Sequence, residues 1–161
     1  MECNVLLIDD NPEFISSIKR DFTDVGIPLD VAETWQQGIE KFHISLYELV
    51  IADYNLPGSD NGLKLLANVK PLKPSSKLVL ISGMISSVPA EMIKIQGLVD
   101  NYFEKDVDIS SKLIEEAKKA IKSAKMNTDW KSVAKAHLQG ITINEKFVKE
   151  IDDLIRKDIG K

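Results

Sequence analysis

Five side chains suited to handling a phosphoryl group close or follow four short apolar runs. Asp9 and Asp10 follow Val5-Leu6-Leu7-Ile8, Asp53 follows Leu49-Val50-Ile51-Ala52, Ser82 follows Leu78-Val79-Leu80-Ile81, and Lys105 comes just after Tyr102-Phe103. If these runs are neighbouring parallel strands, their ends gather three carboxylates, a hydroxyl and an ammonium at one edge of one sheet. In an open α/β sheet the functional crevice lies outside the carboxyl ends of the strands. The chemistry such a set could support is magnesium-assisted acceptance of phosphate. A carboxylate attacking a phosphoryl group must first have the mutual repulsion cancelled. Mg2+ does this with oxygen ligands, commonly one or two carboxylates, phosphoryl oxygens and waters, and Asp10 and Asp53 could supply such ligands while Asp9 holds a water. The metal also removes the penalty of three like charges in one place. Lys105 is then placed to neutralise another phosphoryl oxygen, Ser82 to donate to a third, and Gly83 leaves space for the group to enter.

The elements that must position these residues alternate regularly. Asn11 can cap a helix with Pro12 in its first turn, and Phe14, Ile15, Ile18, Phe22 and Val25 fall at helical spacing before Gly26 stops it. A short strand follows near Leu29 to Ala32, and Thr34 can cap a helix reaching about Ser45. Glu48 to Asp53 reads as the third strand. Gly62 to Lys70 reads as a helix with Leu63, Leu65, Leu66 and Val69 inward, ended by Pro71 and Pro74. Lys77 to Ser82 is the fourth strand, about Pro89 to Gln96 a helix, Asp100 to Glu104 the fifth strand, and Ile109 to about Lys125 a long helix. Helical crossovers between short apolar strands imply a parallel sheet covered on both faces.

Past Met126 the pattern changes. Trp130, Val133, Ala134, Leu138 and Ile141 make one helix face, Gly140 a break, and Ile143, Phe147, Ile151, Leu154 and Ile155 a second stripe capped by Asn144. This predicts two parts, residues 1–125 and a helical extension at 126–161 in the form of a hairpin. Its stripes suit packing or self-association, so a homodimer is among the expected assemblies. The extension carries seven Lys/Arg against six Asp/Glu, and the whole chain has a net charge of −4. That balance argues against a nucleic-acid-binding face, which needs excess positive charge.

A length of 161 residues with 43% hydrophobic and 29% charged content suits one well-buried core and a small appendage. Apolar runs of four or five residues fall far short of the roughly 20 needed to cross a bilayer, and the N-terminus lacks a basic region followed by a signal-length apolar stretch. The expectation is a soluble, cytoplasmic chain without a membrane partner. Cys3 is the single cysteine, which excludes an intrachain disulfide and suggests a buried thiol. His43 and His137 have no ligand-spaced companions, and Trp35 and Trp130 read as packing residues.

Taken singly, each site residue has an ordinary explanation. Asp9, Asp10 and Asn11 could cap a helix, Asp53 could open the turn at Pro57-Gly58, Ser82-Gly83 is turn chemistry, and a lysine is most often a solvated charge. Their joint position at the exits of strands one, three, four and five is what ordinary turns do not require.

At these residues the chain resembles the receiver domain of two-component response regulators over about residues 3 to 125. The matching pieces are Leu-Ile-Asp9-Asp10-Asn11, Val-Ile-Ala-Asp53-Tyr-Asn-Leu-Pro57-Gly58 with Gly62 and the Leu63-Leu66 helix, Leu-Ile-Ser82-Gly83, and Asn-Tyr102-Phe-Glu-Lys105. The resemblance implies a doubly wound, flavodoxin-like five-stranded parallel sheet of order 2-1-3-4-5. It also implies that Asp53 is the phosphorylated aspartate, that Asp10 is a direct and Asp9 an indirect ligand of Mg2+, and that the Asn55 carbonyl is a further ligand. Ser82 and Lys105 are implied to contact the phosphoryl group. Tyr102 matches the aromatic switch that turns inward when the hydroxyl residue moves toward the phosphate. The implied donor is a histidine kinase or histidine phosphotransfer protein, and the implied output an altered surface for a downstream protein: a signalling switch more than an enzyme.

Two departures from the family pattern stand out, and one residue beside the site invites a further expectation. Asp106 occupies a position where the family often has proline, the residue that makes a cis peptide cheap, which leaves the geometry of the lysine loop open. Gly62 lies nine residues after Asp53 instead of eight, putting one extra residue in Gly58-Ser59-Asp60-Asn61 and altering the loop without removing a ligand. Met84, two residues past Ser82, is expected to shield the phosphoryl group from water. Two rivals remain: a haloacid-dehalogenase-like phosphohydrolase, whose second acid two positions after the nucleophile is Asn55 here, and a receiver-like scaffold that takes no phosphate.

Overall fold

The computed structural model describes residues 4–58, 61–83 and 98–138, with residue 153. In chain order its elements are β1 (Val5–Ile8), α1 (Pro12–Asp24), β2 (Leu29–Ala32), α2 (Trp35–Ser45), β3 (Leu49–Asp53), α3 (Gly62–Val69), β4 (Lys77–Ser82), β5 (Asn101–Glu104) and α4 (Ile109–Leu138). The sheet runs β2-β1-β3-β4-β5, every pair parallel. This is the doubly wound order expected from the sequence. β1 and β3 are buried along their whole length, which explains why they read as unbroken apolar runs instead of alternating ones.

The pleat divides the core into two clusters. Leu6, Ile8, Val50, Ala52, Leu78 and Leu80 pack with Phe42 of α2 and Leu63, Leu65, Leu66 and Val69 of α3. Val5, Leu7, Leu49, Ile51, Val79 and Ile81 pack with Ile15, Ile18 and Phe22 of α1 and with Ile109, Leu113, Ala117 and Ala120 of α4. Successive strand residues point to opposite faces, so odd and even positions of each strand serve different helices.

Helix starts cluster at the carboxyl edge of the sheet. Asn11 Oδ1 accepts from the amides of Glu13 at 3.0 Å and Phe14 at 3.1 Å with Pro12 opening α1. Thr34 Oγ1 accepts from Gln37 N at 3.1 Å to open α2, and Asn61 Oδ1 accepts from Lys64 N at 3.0 Å to open α3. Each cap satisfies a backbone donor that the helix leaves without an internal partner.

One element is longer than the sequence suggested. α4 continues through Met126 to Leu138 without the expected change of helix. No Gly or Pro interrupts residues 109–138, so nothing breaks the i→i−4 ladder where the apolar stripe shifts. The second arm of the expected hairpin, built on Ile143, Phe147, Ile151, Leu154 and Ile155, lies outside the described residues, as do Cys3, Met84 and the helix expected at 89–96. The chain divides into two compact units, Met1–Ile121 and Lys122–Lys161. Among the described residues no helix is long and apolar enough to cross a membrane.

Candidate functional site

Strand register brings the acids level with one another. Ile8 pairs with Ala52 and Asp53 with Ile81, while Ile81 pairs with Phe103. One step on from Ile8 is Asp9, and two steps on from Phe103 is Lys105. Continuing the pleat, Asp9, Asp53 and Lys105 share the parity of Leu7, Ile51, Ile81 and Phe103, the sheet face covered by α1 and α4. Ser82 and Tyr102 share the parity of Leu80, the face covered by α2 and α3. Two groups of residues thus meet at one edge from opposite sides of the sheet.

Lys105 joins the acids. Its Nζ lies 2.6 Å from Asp9 Oδ2 and 3.0 Å from Asp53 Oδ2. The other oxygen of each acid is held by the backbone amide two residues on, Asn11 N to Asp9 Oδ1 at 2.9 Å and Asn55 N to Asp53 Oδ1 at 3.2 Å. Both carboxylates are therefore fixed at both ends, by an Asx turn and by the same ammonium. Asp10 is exposed, and ligand oxygens of Asp9, Asp10 and Asp53 all lie within 4.8 Å of one another. These are hard oxygen donors of the kind that hold Mg2+, so the residues fit a divalent cation.

Burial dominates the electrostatics. Asp9 is fully buried and Asp53 is 6% exposed. Desolvation pushes the Asp53 pKa above the ordinary carboxylate value, aided by the charge of Asp9 and opposed by Lys105 and the Asn55 amide. For Lys105 desolvation is the largest single influence and disfavours the ammonium, yet the pairs with Asp9 and Asp53 outweigh it and hold its pKa above the ordinary lysine value. With its three carboxylates ionised and Lys105 as their ammonium partner, the cluster is two positive charges short of neutrality, which is the condition that attracts a divalent cation.

Backbone packing seats Asp53. Gly62 N donates to Tyr54 O at 3.0 Å, and a Cβ at Gly62 would overlap the carbonyl of Asp53. Only glycine permits that approach, and the extra loop residue does not unseat it. Gly58, at φ +119°, takes a conformation other residues rarely adopt.

On the other face Ser82 is fully buried at the end of β4, and its carbonyl accepts from Lys105 N at 2.8 Å. Tyr102 Oη is buried with no geometrically formed hydrogen bond. Burial raises its pKa, while the nearby Ser82 hydroxyl offsets part of that rise. Asn55 is exposed beside Asp53. Asp106 builds the turn into α4: its Oδ1 accepts from Asp108 N at 3.0 Å, its carbonyl from Ile109 N at 3.2 Å, and its Oδ2 pairs with Lys112 Nζ at 2.8 Å. Among the described residues every peptide bond is trans.

The structure also adds a residue the sequence concealed. Phe14 places its ring centroid 4.4 Å from Lys105 Nζ. An aromatic residue on a helix's apolar stripe carries no mark that distinguishes a partner of a charge from a core residue.

Comparison with known proteins follows the same lines. A family model described as "Response regulator receiver domain" matches residues 5–118. The transcriptional regulatory protein GlrR of Escherichia coli (strain K12) is 25% identical over 105 residues, covering 65% of this chain and 23% of GlrR. The transcriptional regulatory protein ComA of Bacillus subtilis (strain 168) is 30% identical over 82 residues, covering 49% of this chain and 38% of ComA. The chain thus spans less than half the length of either curated relative. The crystal structure of response regulator protein TrrA from Thermotoga maritima in complex with Mg(2+)-BeF is similar with a TM-score of 0.64 and 26% identity, covering 74% of this chain and 99% of that one.

Proposed function

Because the chain belongs to the response regulator receiver domain family, we propose that it is a phosphorylation switch in which Asp53 takes a phosphoryl group from the phosphohistidine of a histidine kinase or phosphotransfer protein. A carboxylate oxygen of Asp53 forms the new O–P bond as the N–P bond breaks, and the histidine leaves with the electron pair. Asp9, Asp10, Asp53 and the Asn55 carbonyl are the groups that would hold Mg2+, which when bound supplies positive charge against the repulsion between carboxylate and phosphoryl group. Lys105 neutralises a phosphoryl oxygen. Ser82 donates its hydroxyl to another, and its displacement opens space on the α2/α3 side for Tyr102 to turn inward. The signal is the difference in free energy between two conformations, read as a changed affinity for a downstream protein at the surface around Tyr102. Residues 126–161 would serve that partner or a second copy of the chain.

The observation that carries this reading is the contact of one ammonium with both Asp9 and Asp53 at 2.6 and 3.0 Å, at the carboxyl edge of the sheet. Incubation with Mg2+ and acetyl phosphate, followed by intact-mass measurement, tests it. A single stable phosphoryl adduct that is lost in Asp53→Asn supports the switch. Continuous phosphate release without an adduct points to a phosphohydrolase, and no modification points to a scaffold.

A further inference from the structure

The ring of Phe14 belongs to a closed circuit of contacts. Asn11 N donates to Asp9 Oδ1 at 2.9 Å and Phe14 N to Asn11 Oδ1 at 3.1 Å. The Phe14 ring then faces Lys105 Nζ at 4.4 Å, and Lys105 Nζ returns to Asp9 Oδ2 at 2.6 Å. The cap that opens α1 therefore fixes both the acid and the aromatic face that hold one ammonium. Phe14 also packs against the buried cluster between α1, α4 and the sheet, so its ring is not free to swing away.

The distance falls well inside the roughly 6 Å reach of a cation–π contact, which strengthens when the cation is desolvated. The Lys105 side chain is only 16% exposed. By contrast Lys112 stands 5.9 Å from the Phe103 centroid, at the edge of that reach, with its side chain 37% exposed. Of these two contacts, the one at Phe14 is the stronger.

Lys105 lies against two of the three carboxylates that fit a divalent cation. We propose that Phe14 is a positioning residue that holds Lys105 across Asp9 and Asp53 as a resident counter-cation, and thereby sets how tightly the acid cluster takes Mg2+. This rests on the metal reading given under Proposed function. The physical basis is competition: apparent affinity falls by the fraction of molecules whose site is not already filled. Whatever favours Lys105 in the cluster weakens metal binding, and removing the ring strengthens it. A role in packing alone predicts the opposite sign, because a loosened cluster binds less well.

The test is calorimetric titration of Mg2+ into the full chain. Phe14→Leu keeps an apolar side chain and removes the ring; Phe14→Tyr keeps the ring. The expected result is a dissociation constant about fivefold lower in Phe14→Leu, equivalent to about 1 kcal/mol at 1.4 kcal/mol per tenfold, and one near wild type in Phe14→Tyr. In a Lys105→Met background the Phe14→Leu effect should vanish, since the competitor is gone. Should Phe14→Leu lose the native circular dichroism signal, Phe14→Met takes its place. Equal or weaker binding in the ring-less variant, or an effect that persists in Lys105→Met, overturns the proposal while leaving the metal site intact. A wild-type chain that takes no Mg2+ overturns both.

Discussion

Lys105 and Asp53 illustrate how a buried charge depends on its neighbours. Burial disfavours both charges: Asp9 and Asp53 sustain that of Lys105, whereas that of Asp53 is sustained by Lys105 and the Asn55 amide and opposed by Asp9. The native Asp53 carboxyl binds its proton more tightly than the unfolded chain does, whose ordinary value is 3.8. Over the window from that value up to the raised native one, the native state carries more protons, so stability falls as pH rises, and above it the full penalty persists. Asp53→Asn removes the penalty. With a chelator present, its melting temperature should exceed wild type at neutral pH, and the gap should close as pH falls below the ordinary carboxylate value. Thermal melts across pH check this; a gap independent of pH would contradict it. The residues that the structure gathers at this edge were legible in the sequence, because Asp9, Asp53, Ser82 and Lys105 each stand at a run's end or just past it. Phe14 was not, since its partner lies 91 positions away in number and the ring looks like any core aromatic on α1.

At the scale of elements, two loops carry the geometry. The β1–α1 turn ties Asp9 to the Asn11 cap, and the turn after β3 ties Asp53 to Asn55 and Gly62. Asn11→Ala should cost about 1 kcal/mol through the lost cap, read by denaturant unfolding, and should also loosen the acid cluster. Gly62→Ala should cost more, on the order of 1–3 kcal/mol, as overpacking against backbone does, with reduced phosphorylation because the displaced atom belongs to Asp53. An Ala variant as stable and active as wild type would contradict the close approach. The strands were legible because short apolar runs end abruptly at polar residues, and the caps because Asn11 and Thr34 directly precede helical periodicity. The extent of α4 was not. A shift of the apolar stripe near Met126 looked like a boundary, but a helix ends at a breaker or a cap, and neither occurs there. Asp106 likewise read only as a missing proline, while its side chain serves the turn into α4.

For the molecule as a whole, the pleat brings the proposed phosphate site and the proposed switch pair to one sheet edge. Odd positions carry Asp9, Asp53 and Lys105 to the α1/α4 side, and even positions carry Ser82 and Tyr102 to the other. The parallel sheet followed from the alternation of elements and its strand order from the family resemblance; the convergence of side chains from both faces needed the register. A cation that binds the folded site alone must stabilise the whole receiver by mass action, about 2.7 kcal/mol at a hundredfold excess over its dissociation constant. Adding Mg2+ should therefore raise the melting temperature, EDTA should reverse the rise, and Asp10→Ala should remove most of it. An unchanged melting temperature would count against a shared cation site.

The most direct test of the central claim is to locate the modification. After reaction with Mg2+ and acetyl phosphate, borohydride reduction converts an acyl phosphate to the corresponding alcohol, and peptide sequencing by mass spectrometry finds the altered residue. Phosphorylation of Asp53 leaves homoserine at position 53 and at no other acid. Reduction at Asp9 or Asp10, or none anywhere, would contradict it.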